Sequence, residues 1–272
     1  MIHTLHLFPE LDQKLLEVLR ELNEEEWNSS TLAPLWSVKD VASHILDGTL
    51  RGISSSRDGY FGNAAPKSDD YQDLVDFLNQ LNGDWVKVSR RLSPALLVQL
   101  LEQNLPLYVQ HLQELDMEGL AIFSVDWAGE SLSKSWFHIA REYTEKFHHQ
   151  MQIRFAVGKD AELLQEKWYL PYLDTSMQGL PHHYRNISVE EGSTIGFKVS
   201  DISKNWGIRY ANTQWTLTDQ LDHLVAEVSI PKEIAWRIFT KGISREEARQ
   251  SVEILGNAAL GEKILDMIAV MA

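Results

Sequence analysis

The chain of 272 residues has no cysteine. Disulfides, zinc–thiolate centres and a catalytic thiol carried by the protein itself are thereby excluded, and whatever chemistry occurs must use other groups. Long apolar runs are also missing: none approaches the roughly 20 residues needed to cross a bilayer. The opening MIHTLHLFPELDQ has no cationic stretch followed by an apolar one. These two absences predict a cytoplasmic protein without a membrane partner. Basic residues are few, 25 Lys and Arg against 39 Asp and Glu for a formal charge of -14, and they are scattered along the chain. Such a field repels phosphate backbones, so nucleic-acid binding is not expected. No glycine-rich phosphate loop, serine-nucleophile elbow or dinucleotide fingerprint is present, which removes nucleotide cofactors from consideration.

Against these absences stand 44% apolar and 24% charged residues, the balance of an ordinary folded protein, in a chain long enough for two compact domains. Leu11, Leu15, Leu16, Val18, Leu19 and Leu22 recur at three- and four-residue steps and predict a first amphipathic helix over 7–22. A second helix should start at Ser37, whose hydroxyl caps the free amides with Asp40 in the first turn, and run through VASHILDGTLRGI. The stretch 54–70 interrupts the periodicity and predicts a loop, followed by a helical region over 71–92. Ser93-Pro94 marks a restart running to about Leu115. After AIFSVDWAGES a long helix is predicted over 133–157.

Beyond Gly158 the pattern changes. A short helical stretch over 161–172 gives way to TIGFKVSD, NWGIRYANTQWTLTD and LDHLVAEVSI, which alternate in polarity and predict strands. Helices are predicted after Pro231, near Ser244, and over the closing LGEKILDMIAVM. The expected fold is α+β: an up-down four-helix bundle over 1–158 and a smaller α+β domain over 159–272.

Histidines are the unusual feature, because several of the ten fall inside helices, where they have no propensity advantage. In WFHIAREYTEKFHHQMQIR, Glu145 and His149 are one turn apart and share a helix face. His44, mid-way along the second helix, could supply a third ligand to one divalent ion. Two imidazoles and a carboxylate suit Zn first, with Ni, Fe or Mn as alternatives. The competing view is plain. Trp136, Ala140, Tyr143, Phe147 and Met151 form an apolar stripe, so Glu145 and His149 lie on the face that a simple amphipathic helix gives to solvent. His148, three residues after Glu145, and His138 with Glu142 offer rival combinations that periodicity does not separate.

WSVKDVASHILD and TEKFHHQMQIR together resemble the metal-binding domain of mycothiol-dependent maleylpyruvate isomerases, a branch of the DinB-like four-helix bundles. In that family one histidine comes from the second helix, and a Glu and a His four residues apart come from the last. The resemblance implies His44, Glu145 and His149 as the metal ligands. SVEILGNAALGEKILDMIAVM and the strands before it resemble the sterol-carrier-like C-terminal domain of the same isomerases.

The resemblance further implies a divalent metal that activates a low-molecular-weight thiol cosubstrate. The thiol adds to a small electrophile with a conjugated cis double bond, and the chain acts as an isomerase or S-transferase. A chain without cysteine fits an external thiol. A non-catalytic metal and small-ligand-binding protein, or a metal-dependent hydrolase using water, are the alternatives. Arg51, two turns after His44, and Arg141, one turn before Glu145, are candidates for holding an anionic substrate, although both also suit ordinary helix-surface charges. Asp47 could orient a ligand imidazole. Trp27, Trp36 and Trp136 are assigned to packing. A monomer or homodimer is expected.

Overall fold

The structure, a computed structural model, describes residues 1–62, 65–68 and 70–270. The chain forms two compact units. One comprises His3–Ile122 with Lys134–Asp160; the other comprises Met1–Ile2, Phe123–Ser133 and Ala161–Val270. The connection Phe123–Ser133, placed in the bundle by its position in sequence, thus packs with the second unit.

The helical unit contains α1 (Phe8–Glu21), α2 (Glu24–Asn28), α3 (Val38–Gly52), α4 (Tyr71–Ser89), α5 (Pro94–Glu114) and α6 (Ser135–Ala156). Helices α1, α3, α5 and α6 pack on one another, and α4 lies against α3. The capping signals explain the starts. Ser37 accepts from the Asp40 amide while the Asp40 carboxylate accepts from the Ser37 amide, a reciprocal pair that satisfies two free donors of α3. Asn23 and Glu26 do the same for the short α2, which periodicity overlooked. Ser93 caps α5 with Pro94 in its first turn, as its sequence predicts. The apolar faces meet in a core that includes Leu15, Leu19, Val38, Ala42, Leu46, Leu97, Leu101 and Ile153.

Two differences from the expected helices matter. The loop predicted from 54 begins instead as a π-helical turn, Ile53–Arg57, that continues α3 and is tied to α5 by a 2.7 Å hydrogen bond between Ser56 Oγ and His111 Nε2. Positions 63, 64 and 69 of that predicted loop lie outside the described residues. The second difference concerns α6, which is buried nearly all round rather than presenting a wet polar face. Its cations are compensated inside: Lys146 Nζ reaches Asp12 of α1 at 2.6 Å, and Arg154 donates to Gln150 Oε1 at 3.0 Å and to the Lys14 carbonyl at 3.0 Å. Helix α3 packs along α6, and Tyr108 of α5 reaches Glu142 on it.

The second unit holds α7 (Glu166–Met177), α8 (Leu180–Tyr184), α9 (Lys232–Phe239), α10 (Arg245–Ser251) and α11 (Ala258–Glu262) around a sheet of β1 (Thr194–Val199), β2 (Asn205–Ala211), β3 (Gln214–Thr218), β4 (Leu224–Ile230) and β5 (Glu253–Gly256). The strand order is β3-β2-β1-β4-β5, parallel only between β1 and β4. NWGIRYANTQWTLTD is two strands, joined by a tight turn in which Asn212 and Thr213 both have positive φ, 53° and 63°, the conformation that matches the twist of a hairpin. Ile195, Phe197, Trp206, Ile208, Val228 and Ile230 are buried on the sheet. Tyr184 of α8 meets Phe197 and Trp215 edge-on at 6.0 and 5.9 Å. The single closing helix predicted over LGEKILDMIAVM is not formed: α-helix is confined to Ala258–Glu262 and a 3-10 turn follows over Lys263–Asp266, while the preceding Glu253–Gly256 forms the edge strand β5. Met271, the last residue of that prediction, lies outside the described residues.

Candidate metal centre

Helix α6 carries an uninterrupted polar line along the side facing α3 and α5: His138, Arg141, Glu142, Glu145, His148, His149 and Gln152, spaced at three and four residues. The line divides into two parts.

In the first, Arg141 is buried and shares a 2.7 Å hydrogen bond with His138 Nδ1 while donating to Glu142 Oε1 at 3.0 Å. The other Glu142 oxygen accepts from Tyr108 of α5 at 2.8 Å. Arg141 and the Tyr108 hydroxyl hold Glu142 below the ordinary carboxylate range despite its burial, and burial pushes His138 down to about 4. The rival pair of His138 and Glu142 is therefore occupied with an internal cation. Arg141, expected as a candidate for an anionic substrate, has its guanidinium engaged by these two neighbours.

In the second part, ligand atoms of Glu145, His148 and His149 all lie within 4.8 Å of one another. His149 Nε2 is 3.6 Å and His148 Nδ1 3.8 Å from Glu145 Oε2. His44 of α3 is not one of these three but stands beside them, its ring centroid 4.6 Å from that of His149 and nearly perpendicular to it at 82°. Trp36 packs on the other side of His44 at 4.9 Å. The bundle thus groups Glu145, His148 and His149 on α6 and sets the His44 ring of α3 against that of His149; the three-residue spacing of His148 from Glu145 was its only signal.

Three observations bear on whether a divalent ion fits these side chains. Desolvation holds every imidazole in the neutral form that binds metal: His149 is pushed down to about 3, His148 to about 4, and His44 well below its ordinary value. Gln152 Oε1 lies 3.0 Å from His149 Nδ1; in the tautomer that donates from Nδ1 to this oxygen, the Nε2 lone pair is turned towards Glu145. His44 Nδ1 is buried without a hydrogen-bond partner, a state that costs free energy unless another group satisfies it. The donor set fits the ion. His148 Nδ1 likewise lies 3.2 Å from an oxygen, the Thr144 carbonyl, which leaves Nε2 as the ring nitrogen outside that bond and keeps His148 a rival ligand. Gln152 was not foreseen, although its i+3 position relative to His149 is a legible signal.

Arg51 also lies on α3, its Nε 3.0 Å from Asp47 and its terminal nitrogen donating to Asn82 of α4 at 2.8 Å. Burial outweighs Arg51 at Asp47 and raises the carboxyl to about 6. Asp47 therefore pairs with Arg51, not with a ligand imidazole. Trp27 is buried in the core, in keeping with a packing role.

A helical bundle followed by a mixed-sheet unit, with a histidine and carboxylate cluster inside the bundle, defines a class of α+β protein. Residues 8–154 match the model of the family described as mycothiol maleylpyruvate isomerase N-terminal domain, and the chain belongs to that family. Two solved structures share its fold. A histidine-to-alanine variant of the mycothiol-dependent maleylpyruvate isomerase is 12% identical with a TM-score of 0.53, covering 92% of this chain and 90% of that one. Another crystal structure of the mycothiol-dependent maleylpyruvate isomerase is 13% identical with a TM-score of 0.51, covering 86% of each. No curated protein matches the sequence. Among the described residues, no helix is long and apolar enough to cross a membrane.

Proposed function

We propose that His44, Glu145 and His149 hold one divalent metal ion, zinc foremost, and that the chain is a thiol-dependent isomerase or S-transferase of the maleylpyruvate isomerase type. The observation that carries this reading is the pairing of His149 with Gln152, which presents a fixed lone pair beside Glu145 in a site where the imidazoles are neutral. When bound, such an ion supplies the charge that keeps an external thiol in its thiolate form near neutral pH.

The protein groups have separate tasks. Gln152 holds the His149 tautomer, His148 steadies the Glu145 carboxylate, and Trp36 supports the His44 ring by packing. With three protein ligands, a position remains open for an exchangeable ligand. Arg51, whose side chain is 36% exposed, is placed along α3 to attract a substrate carboxylate, while Asp47 limits its net charge. Arg141 contributes through Glu142 and His138, setting the electrostatics of the neighbouring turn. The second domain is assigned to small-ligand binding of the sterol-carrier type.

The test combines elemental analysis of the purified protein with a panel of thiols and electrophiles. One equivalent of metal and turnover that requires added thiol are expected. A small thiol should perturb the visible spectrum of the Co-substituted protein, and the same compound methylated on sulfur should not. Metal with turnover that ignores thiol would indicate hydrolysis, and metal that no thiol perturbs would indicate a binding protein.

A further inference from the structure

Helix α3 contains two glycines one turn apart, Gly48 and Gly52, in positions where each lowers helix stability relative to alanine. Gly52 has a packing reason: a Cβ there would come within 2.6 Å of the Tyr108 ring, the same residue whose hydroxyl binds Glu142. Gly48 has none. A Cβ at Gly48 would meet nothing within 4 Å, yet the residue is only partly exposed and sits four residues after His44, on the same helix face.

The pattern of exposure shows what this space belongs to. Both α3 and α6 are largely buried, but each has a line of partly exposed residues at helical spacing. On α3 the line runs through His44, Gly48, Arg51 and Gly52; on α6 it runs through Glu142, Glu145 and His149. His44 and His149 touch ring to ring across the two helices, so the lines face each other. Glu145 retains 28% side-chain exposure in a helix otherwise enclosed, and His149 retains 13%. A groove between α3 and α6 accounts for all of these together, with the metal-ligand candidates as its floor and the missing side chain of Gly48 as its mouth.

We infer that Gly48 keeps this groove open to ligand, and that the size of the side chain at position 48 sets the size of ligand admitted to His44, Glu145 and His149. The occupant is a small molecule carrying one soft or anionic donor, since the groove ends on imidazoles and a carboxylate and is bordered by the Arg51 guanidinium. In its naming of a thiol as occupant the inference rests on the proposed function. The existence and gating of the groove do not depend on it.

The experiment therefore has two arms on the full-length chain, using Gly48→Ala, Gly48→Leu and Gly48→Trp, with Gly83→Leu on the exposed side of α4 as control. In the first arm the metal-free protein is treated with diethyl pyrocarbonate, which acylates neutral imidazole, and labelling of each histidine is followed by mass spectrometry. The exposed His3 and His6 serve as internal references. Labelling of His44 and His149 should fall progressively with side-chain size, by about tenfold for Gly48→Leu, while the references and the Gly83→Leu protein do not change. In the second arm Co uptake should survive in Gly48→Leu while N-acetylcysteine binding weakens by about tenfold. Gly48→Ala, which meets no atom and improves helix propensity, should raise the melting temperature, and this confirms folding in the series. Unchanged labelling of both histidines in a folded Gly48→Leu protein would overturn the inference. Wild-type protein that takes up no metal, with labelling that still depends on residue 48, would overturn the proposed function and leave the groove standing.

Discussion

Helix α6 presents the same pair of residue types twice, His138 with Glu142 and Glu145 with His149, each one turn apart on the same buried side. In the first pair the guanidinium of Arg141 lies between imidazole and carboxylate, and Tyr108 takes the remaining oxygen. In the second pair the carboxylate is surrounded by neutral imidazoles at 3.6 and 3.8 Å, beyond ordinary hydrogen-bond length. One pair carries its cation in the sequence; the other has two imidazoles near its carboxylate. An i, i+4 spacing of His and carboxylate is thus common to a structural network and a metal-ligand candidate, and what distinguishes them is the third group beside each.

The sharpest way to break this comparison is to remove charge from each carboxylate in turn. Glu142→Gln leaves the Arg141 cation buried and uncompensated and should cost about 3 kcal/mol of stability, read from urea unfolding of the metal-free protein. Glu145→Gln, whose imidazole neighbours are neutral, should cost about 1 kcal/mol or less under the same conditions. The reverse order would show that the two halves have been assigned the wrong way round.

Metal affinity should follow the opposite pattern. His44→Ala and His149→Ala are each expected to weaken Zn binding by about 100-fold or more in competition titrations, whereas His138→Ala keeps the wild-type value. A fully loaded His149→Ala protein would end the proposed ligand set. Next in size is Gln152→Leu, which releases the His149 tautomer while leaving all ligands in place, with an expected loss of about tenfold. His148→Ala should cost no more than this if the ligands are His44, Glu145 and His149. An effect as large as that of His149 would make His148 a ligand.

A further effect concerns pH. His149 has its pKa lowered from 6.5 to about 3 in the folded chain, so between these values the unfolded state binds more protons than the folded one. Stability of the metal-free protein must then rise with pH across that window and fall as pH drops from 6.5 towards 3, by at most about 1.4 kcal/mol per unit for this group. His148 and His138 act in the same direction, and Asp47, raised to about 6, acts in the other. The contribution of His149 is isolated by comparing the pH dependence of the melting temperature with that of His149→Gln, which should be less steep below pH 6.5.

Much of the helical unit was legible because its signals are local. Ser37 with Asp40 and Ser93 with Pro94 mark helix starts that depend only on neighbouring residues, and the leucines of α1 need only a 3.6-residue period. Signals failed where neighbours in sequence were not neighbours in space. LGEKILDMIAVM reads as one terminal helix, but α-helix ends at Glu262 and a 3-10 turn follows, and the strand just before it, Glu253–Gly256, exists only because β4 offers an edge to pair with. The polar stripe of α6 reads as a solvated face until α3 packs along it and Tyr108 of α5 reaches Glu142. The candidate ligands were read from one-turn spacing and a family resemblance; Gln152 was passed over although its i, i+3 step from His149 is legible, and the space at Gly48 was not legible, since a void is not written in residue order.

The sequence by itself determined the absence of thiol chemistry from the protein, the acidic field, the helix starts and the i, i+4 geometry of Glu145 and His149, because each follows from composition or from contacts within one turn. Arg141 is a neighbour of the first pair on the same helix, so that cation too is local; only the tertiary structure decided what else meets each pair, Tyr108 of α5 at Glu142 and His44 of α3 against His149. The physical reason is desolvation: an imidazole or carboxylate acquires its proton affinity and its need for a partner from what packs over it, and those groups come from helices separated by as much as a hundred residues of chain.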